Sequence, residues 1–216
     1  MLIPLLGLCY YNILEDKIHK SINDRKLVSN KLANYHTSFA LLSLIVSFYN
    51  EENKMINMLI MGNSIGFFLN ETLIIIKRNK FKISDYVFIY HHIVSTIYIY
   101  NSVNDPTSYC KTILFYVEIS NIPSQAVYYL IQQRRIFGEG YNDSLLSHAK
   151  LIQFYVYGFL RIFVGTYLYY FETMVMGFDN MFWAMMPILF LGYFWAYTMY
   201  SRGSVSYTHL TLPTKA

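Results

Sequence analysis

Residues 83–101 read ISDYVFIYHHIVSTIYIYN, with Tyr90-His91-His92-Ile93-Val94-Ser95-Thr96 at their centre. The run carries one formal charge, Asp85, near its start. A helix of this length rises 1.5 Å per residue and nearly spans a bilayer core of ~30 Å. Two adjacent histidines in such a helix are costly. An ionisable side chain at membrane depth costs roughly 2.5–3.5 kcal/mol, so each one is a functional candidate by default.

The rest of the chain has the same character. Of its 216 residues, 55% are hydrophobic and only 14% charged, too little polar surface for a soluble domain of this length. The mean hydropathy is +0.29. Tyrosine dominates the aromatic content, and it suits a lipid boundary, being apolar in the ring and polar at the tip. The net charge of +4 is read as topology, which excludes nucleic acid as a partner. Cys9 and Cys110 form neither a metal pattern nor a disulfide framework. The first apolar stretch, LIPLLGLCYYNIL, lacks the basic flank and cleavage site of a signal peptide.

Apolar segments near 1–14, 30–49, 55–76, 83–103, 109–132, 148–171 and 180–200 predict an all-α, polytopic membrane bundle or barrel of six to seven transmembrane helices. Residues 1–24 are a short first span with a basic loop, and 25–203 form the main domain. Residues 204–216, SVSYTHLTLPTKA, depart abruptly in composition. They resemble translated sequencing-adapter DNA, and His209 is therefore left out of any site. Every other loop is basic: 15–31, then KRNKFK at 77–82, then the stretch with Arg134, Arg135 and Lys150. The loops between them, EENK, NDPTSYCK and ETMVMGFDN, are not. The basic loops should face the cytosol, which puts the C-terminus there too.

The chemistry should lie with polar groups inside the spans. These are His36, Asn70, Glu71, His91, His92, Glu118, Asn121, Gln125 and Arg161. At 1.5 Å per residue, His36 lies roughly 10 Å, the histidine pair roughly 13 Å and Glu71 roughly 8 Å from the cytosolic side. Three helices thus bring these groups to a similar depth. Ser95 shares a helix face with His91, and Thr96 with His92. A histidine beside a hydroxyl and near a carboxylate can act as a base or nucleophile. A buried Glu118–Arg161 pair would neutralise both charges at mid-depth. Pro123 should kink the helix beside Glu118. The plainer reading makes these groups helix–helix hydrogen-bonding glue. No metal is expected, since HExxH and paired cysteines are missing. Phosphate-loop, dinucleotide and nucleophile-elbow motifs are also absent from the sequence.

In order along the chain stand LANYHTSFALLS, GFFLNETL, SDYVFIYHH, FYVEISNIPSQ and YGFLRIF. This ordered set, over about residues 25–200, resembles the TLC-domain family, which includes ceramide synthases. The likeness is closer to its TLC-domain-containing transmembrane branch. The resemblance implies a helical barrel with a lipid-sized cavity, in the endoplasmic reticulum or another endomembrane. It implies a role in lipid metabolism, in the synthases as a sphingolipid acyltransferase using acyl-CoA as co-substrate, with no resident cofactor. On that reading His91 and His92 are catalytic, with Glu118 as the orienting carboxylate. His36, Glu71, Ser95, Asn121 and Arg161 then line the cavity or support it. The chain departs from the synthases where they have His-Asp and further aspartates; here stand Glu118, Ser120 and Asn121. The expected partners are membrane lipids and acyl-CoA, with a homodimer allowed. The alternative is a non-catalytic lipid sensor, membrane-composition regulator or cargo receptor.

Overall fold

The computed structural model describes residues 2–22, 24–50, 53–77, 81–105, 107–138, 140–177 and 180–210. Within them the chain is all-helical. The helices are α1 (Leu2–Ser21), α2 (Arg25–Tyr49), α3 (Lys54–Ile76), α4 (Ile83–Ser102), α5 (Cys110–Phe137), α6 (Asp143–Gly158), α7 (Gly165–Met176) and α8 (Asn180–Leu210). A π-helical turn, Phe159–Val164, joins α6 to α7 without a break, so these eight helices make seven rods. Residues 78–80 of the basic 77–82 loop and 211–216 of the terminal stretch lie outside the described residues.

Three rods are long and apolar enough to cross a membrane: Lys54–Ile76, Asp143–Val175 and Phe182–Ser201. Among the described residues, three of the six to seven expected crossings thus have a rod long and apolar enough to make them. The reason is visible in α4, where tyrosines and two histidines dilute the aliphatic content. The outer surface is apolar nonetheless. Ile93, Ile97 and Tyr100 on α4 and Phe190, Phe194 and Tyr197 on α8 are exposed, while His36, Asn63, Glu118 and Ser120 are buried. A polar inside under an oily outside is consistent with a protein solvated by lipid.

The basic 15–31 segment differs from expectation. Most of it is helix, and only residues 22–24 connect α1 to α2. Its charges therefore sit on helix ends. Asp24 in this connection pairs with Arg135 at the end of α5.

Three glycines decide how α1 meets α3. A Cβ on Gly66 would stand 2.7 Å from the Cα of Gly7 and 2.8 Å from the amide nitrogen of Leu8. A Cβ on Gly7 would stand 2.8 Å from the Gly62 carbonyl carbon. Real side chains cannot fit there, so the two backbones touch directly. Gly62-Asn-Ser-Ile-Gly66 is the small-xxx-small spacing that permits such an approach.

One cluster, Leu44, Ile60, Met61, Ile65, Tyr98, Ile99, Val103, Cys110 and Leu114, fills the end where α2 and α4 finish and α3 and α5 begin. Polar side chains are buried as well, among them Asn57, Asn63, Ser102, Glu118 and Glu172. α3 starts on an Asn53 cap, whose side chain accepts from the Met55 and Ile56 amides at 3.0 and 3.3 Å. Asp85 accepts from the Lys82 amide at 2.8 Å and fixes the start of α4. Pro123 lies inside α5 without ending it. In the loop before α5, the Thr107 hydroxyl and amide bond Asp105 and hold its carboxyl below the usual range.

Candidate functional site

The polar centre is built from α1, α2, α3 and α5. Glu118 on α5 is 3% exposed and His36 on α2 is 2% exposed. His36 Nε2 lies 3.0 Å from Glu118 Oε1. The other carboxylate oxygen accepts from Thr37 Oγ1 at 2.8 Å and from Asn121 Nδ2 at 3.3 Å. Both oxygens of Glu118 are therefore engaged.

Behind His36 stands a second layer. Tyr11 on α1 donates to Asn63 Oδ1 on α3. That fixes the Asn63 amide so that its NH2 faces His36 Nδ1 at 3.2 Å and the His36 carbonyl at 3.3 Å. With Nδ1 accepting, Nε2–H donates to Glu118, and the tautomer follows from the network. Phe67 stacks on the ring, with centroids 4.1 Å apart and planes 4° from parallel. Gln125 Nε2 donates to Thr37 Oγ1 at 2.8 Å and to the Ala33 carbonyl at 3.2 Å, tying α5 to α2 again.

The histidine pair on α4 is held more loosely. His92 is buried and its Nδ1 lies 3.0 Å from Thr72 Oγ1 on α3. Phe68 stacks on it, centroids 5.2 Å apart. His91 meets Phe68 edge-on at 5.9 Å, and its Nδ1 is buried with no hydrogen-bond partner. Neither histidine bonds Glu118. The expected union of the pair with that carboxylate is not formed, because Glu118 turns toward α2. Ser95 is buried four residues from His91, with no hydrogen bond between them.

The expected Glu118–Arg161 ion pair also gives way. Arg161 donates from Nε to Ser120 Oγ at 2.8 Å and from Nη2 to Asn121 Oδ1 at 3.1 Å. Asn121 stands between the two charges, accepting from one and donating to the other. Asn70 donates to Glu15 on α1 at 3.3 Å, a carboxylate expected in a loop.

Two recesses flank the centre. One, of about 300 Å³, lies between α2 and α5 and is lined by Asn30, His36, Thr37, Asn121 and Gln125. The other, of about 540 Å³, lies between α3 and α4 and is lined by Glu71, Lys82, Ser84, Asp85, Phe88 and His92. Phe67 lines both, so its ring is the partition between them. Among the described residues no group of three His, Cys, Asp or Glu is placed to hold a metal ion.

Protein-family models, curated proteins and solved structures give no match to this chain. The TLC-type likeness of the quoted segments thus stands on those residues alone.

Several participants escape a reading by sequence. Tyr11 and Asn63 carry no charge and sit in stretches that look like packing. Thr37 was legible only as the neighbour of His36. Glu172, counted among the acids of the last outer loop, is in fact buried. It accepts from Tyr98 OH at 2.9 Å, Ser108 Oγ at 2.7 Å and the Tyr109 amide at 2.6 Å, and so caps the start of α5 from α7.

Proposed function

We propose that this chain is a seven-span, TLC-type membrane protein that binds an acyl lipid inside its bundle, in the endoplasmic reticulum or a related endomembrane. The observation that carries the reading is the recess between α3 and α4. Its mouth has Lys82, Ser84 and Asp85, its walls Phe67, Ile75 and Phe88, and His92 sits on its lining. A volume of about 540 Å³ is in the range of small-molecule sites, ~300–1,000 Å³. The polar mouth adjoins the basic 77–82 loop, which is the cytosolic end if positive charge marks that side. A headgroup or coenzyme phosphate at the mouth and an acyl chain against the rings match this lining.

Acyl transfer from acyl-CoA is the catalytic form of the proposal. His92 is its better base or acyl acceptor, because it lines the recess and its Nε2 has no hydrogen-bond partner. Thr72, in place of Glu118, orients the ring. The non-catalytic form, a lipid sensor or regulator, draws support from a different fact: neither histidine touches a carboxylate.

The deciding experiment is a lipidome comparison in cells lacking their own ceramide synthases. The full chain is expressed beside its His91→Ala/His92→Ala variant at equal protein level. A new acyl-lipid species lost in the variant supports transfer, and its headgroup names the acceptor. Identical lipidomes from two folded, inserted proteins reject catalysis and leave lipid binding.

A further inference from the structure

The recess between α2 and α5 differs in kind from the one between α3 and α4. Glu71, Lys82 and Asp85 line the latter, whereas among the described residues no Lys, Arg, Asp or Glu lines the former. Ser29, Asn30, Thr37, Asn121, Ser124 and Gln125 make its polar wall, from amides and hydroxyls alone. His36 also lies on the lining, but its Nε2–H donates to Glu118 and its Nδ1 accepts from Asn63. Behind the wall, Asn121 donates to Glu118 at 3.3 Å and accepts from Arg161 at 3.1 Å. The two charges offset each other through that one amide.

Part of the wall is unspent. Gln125 Nε2 donates to the Ala33 carbonyl at 3.2 Å and to Thr37 Oγ1 at 2.8 Å. A carbonyl can only accept, so the orientation of the Gln125 amide is fixed. Its Oε1 is left as an acceptor with no donor among the described residues. Ser29 Oγ takes no hydrogen bond among them either, and Ser124 Oγ has only a 3.4 Å bond back to the Ser120 carbonyl. Ser29, Ser124 and Gln125 are half-buried, and Ile122 and Tyr129 of α5 are exposed. The unspent groups are therefore within reach from the outer, lipid-facing side of the bundle.

We propose that this recess binds the glycerol head of a monoacylglycerol through its two free hydroxyls. The inference goes beyond the acyl-binding reading of the α3–α4 recess and does not depend on it: this is a second lipid, one phenyl ring away across Phe67. Gln125 Oε1 asks the ligand for a donor, and Ser29 and Ser124 can give or take. A free hydroxyl meets both demands. An ionised carboxylate has no donor and brings a negative charge to a wall without a cation. An ammonium group donates, but it brings a positive charge to a wall without an anion. A volume of about 300 Å³ is at the lower end of small-molecule sites, so the head lies inside and the acyl chain stays in lipid along Ile122 and Tyr129.

The test uses the full chain purified in detergent. It is photolabelled with a monoacylglycerol that carries a diazirine near the glycerol end of its chain, or with the same probe methylated on both hydroxyls. The diol should label about tenfold more than the dimethyl ether, the scale of one to two hydrogen bonds. The labelled peptides should come from α2 or α5. Ser29→Ala should cut diol labelling about fivefold at an unchanged melting temperature, since the hydroxyl it deletes has no partner. Ala33→Leu, which fills the recess, should remove the preference for the diol; if that variant does not fold, Ser29→Ala decides. Ser84→Phe narrows the other recess and should leave diol labelling intact. Unlabelled monoacylglycerol should compete better than lysophosphatidate or a fatty amine. Equal labelling by diol and ether overturns the proposal, as does a Ser29→Ala variant with undiminished diol labelling, or a charged competitor that wins. Diol labelling lost in Ser84→Phe but kept in Ser29→Ala and Ala33→Leu moves the head to the α3–α4 recess, which overturns this site and leaves the lipid-binding reading standing. That reading is checked separately by diazirine-bearing palmitoyl-CoA, whose labelling Ser84→Phe should abolish and Ala33→Leu should not.

Discussion

His36 on α2 and the His91–His92 pair on α4 lie on either side of the Phe67–Phe68 step of α3, and the bundle supports them in opposite ways. Each is stacked on a phenylalanine. Around His36, however, both ring nitrogens and the backbone carbonyl have partners from three other helices. The α4 pair has one hydroxyl, that of Thr72. A satisfied buried network rigidifies the helices that share it, and an unsatisfied one keeps capacity for something else. The first site is therefore the fastener of this bundle, and the second keeps hydrogen-bonding capacity unspent.

That contrast breaks most readily at Glu118. Glu118→Leu strands His36, Thr37 and Asn121 in the interior and should cost about 3–5 kcal/mol, as when one member of a buried pair is removed. Unfolding in detergent, followed by circular dichroism, measures it. His91→Leu in the same assay should cost nothing or slightly stabilise, because the buried nitrogen it removes has no partner. Equal losses from the two would erase the distinction.

Gly66→Leu attacks the same centre from behind. It wedges α1 off α3 and withdraws Tyr11 from Asn63 without touching α4. An overpacking cost of about 1–3 kcal/mol is expected, with accelerated proteolysis of α1 as the readout. The smallest effect belongs to Thr72→Val, about 0.6 kcal/mol by the average for hydrogen bonds between membrane helices. Its use is to sharpen. A fall in product in the lipidome assay at nearly unchanged stability would assign Thr72 to orienting His92. No change in product would leave it as packing.

Much of the architecture was legible because it follows from local solvation. Apolar runs near 20 residues, parted by charged connections, anticipate the seven rods. The sequence also named the ionisable groups that became the interior: His36, Glu118, Arg161 and the α4 pair. Their pairing was not legible. Glu118 was expected with Arg161 and near His92, and it went to His36. Asn121 and Ser120 took Arg161. Depth along a helix can be counted from its ends, and that count set Glu118 and Arg161 nearer mid-depth than His36 and the α4 pair, whereas His36 and Glu118 meet. Direction around a helix, once five or more rods share an interior, depends on rotations that no single helix encodes.

The same limit explains Tyr11, Asn63 and Glu172. None announces itself by charge at membrane depth, and each became structural through the approach of a distant helix. Gly62 and Gly66 carry the spacing that lets α1 and α3 touch, and that approach bears on who faces His36.

By itself, then, the sequence determined the helical class, the apolar exterior and the roster of polar residues that must hide inside it. These are set by the cost of exposing peptide and side-chain groups to lipid, which acts residue by residue. Only the tertiary structure decided which carboxylate meets which histidine, which nitrogens stay unpaired, and that Phe67 stands between two recesses. Those outcomes depend on the rotation and spacing of helices brought together from up to 111 residues apart, as for Asp24 and Arg135.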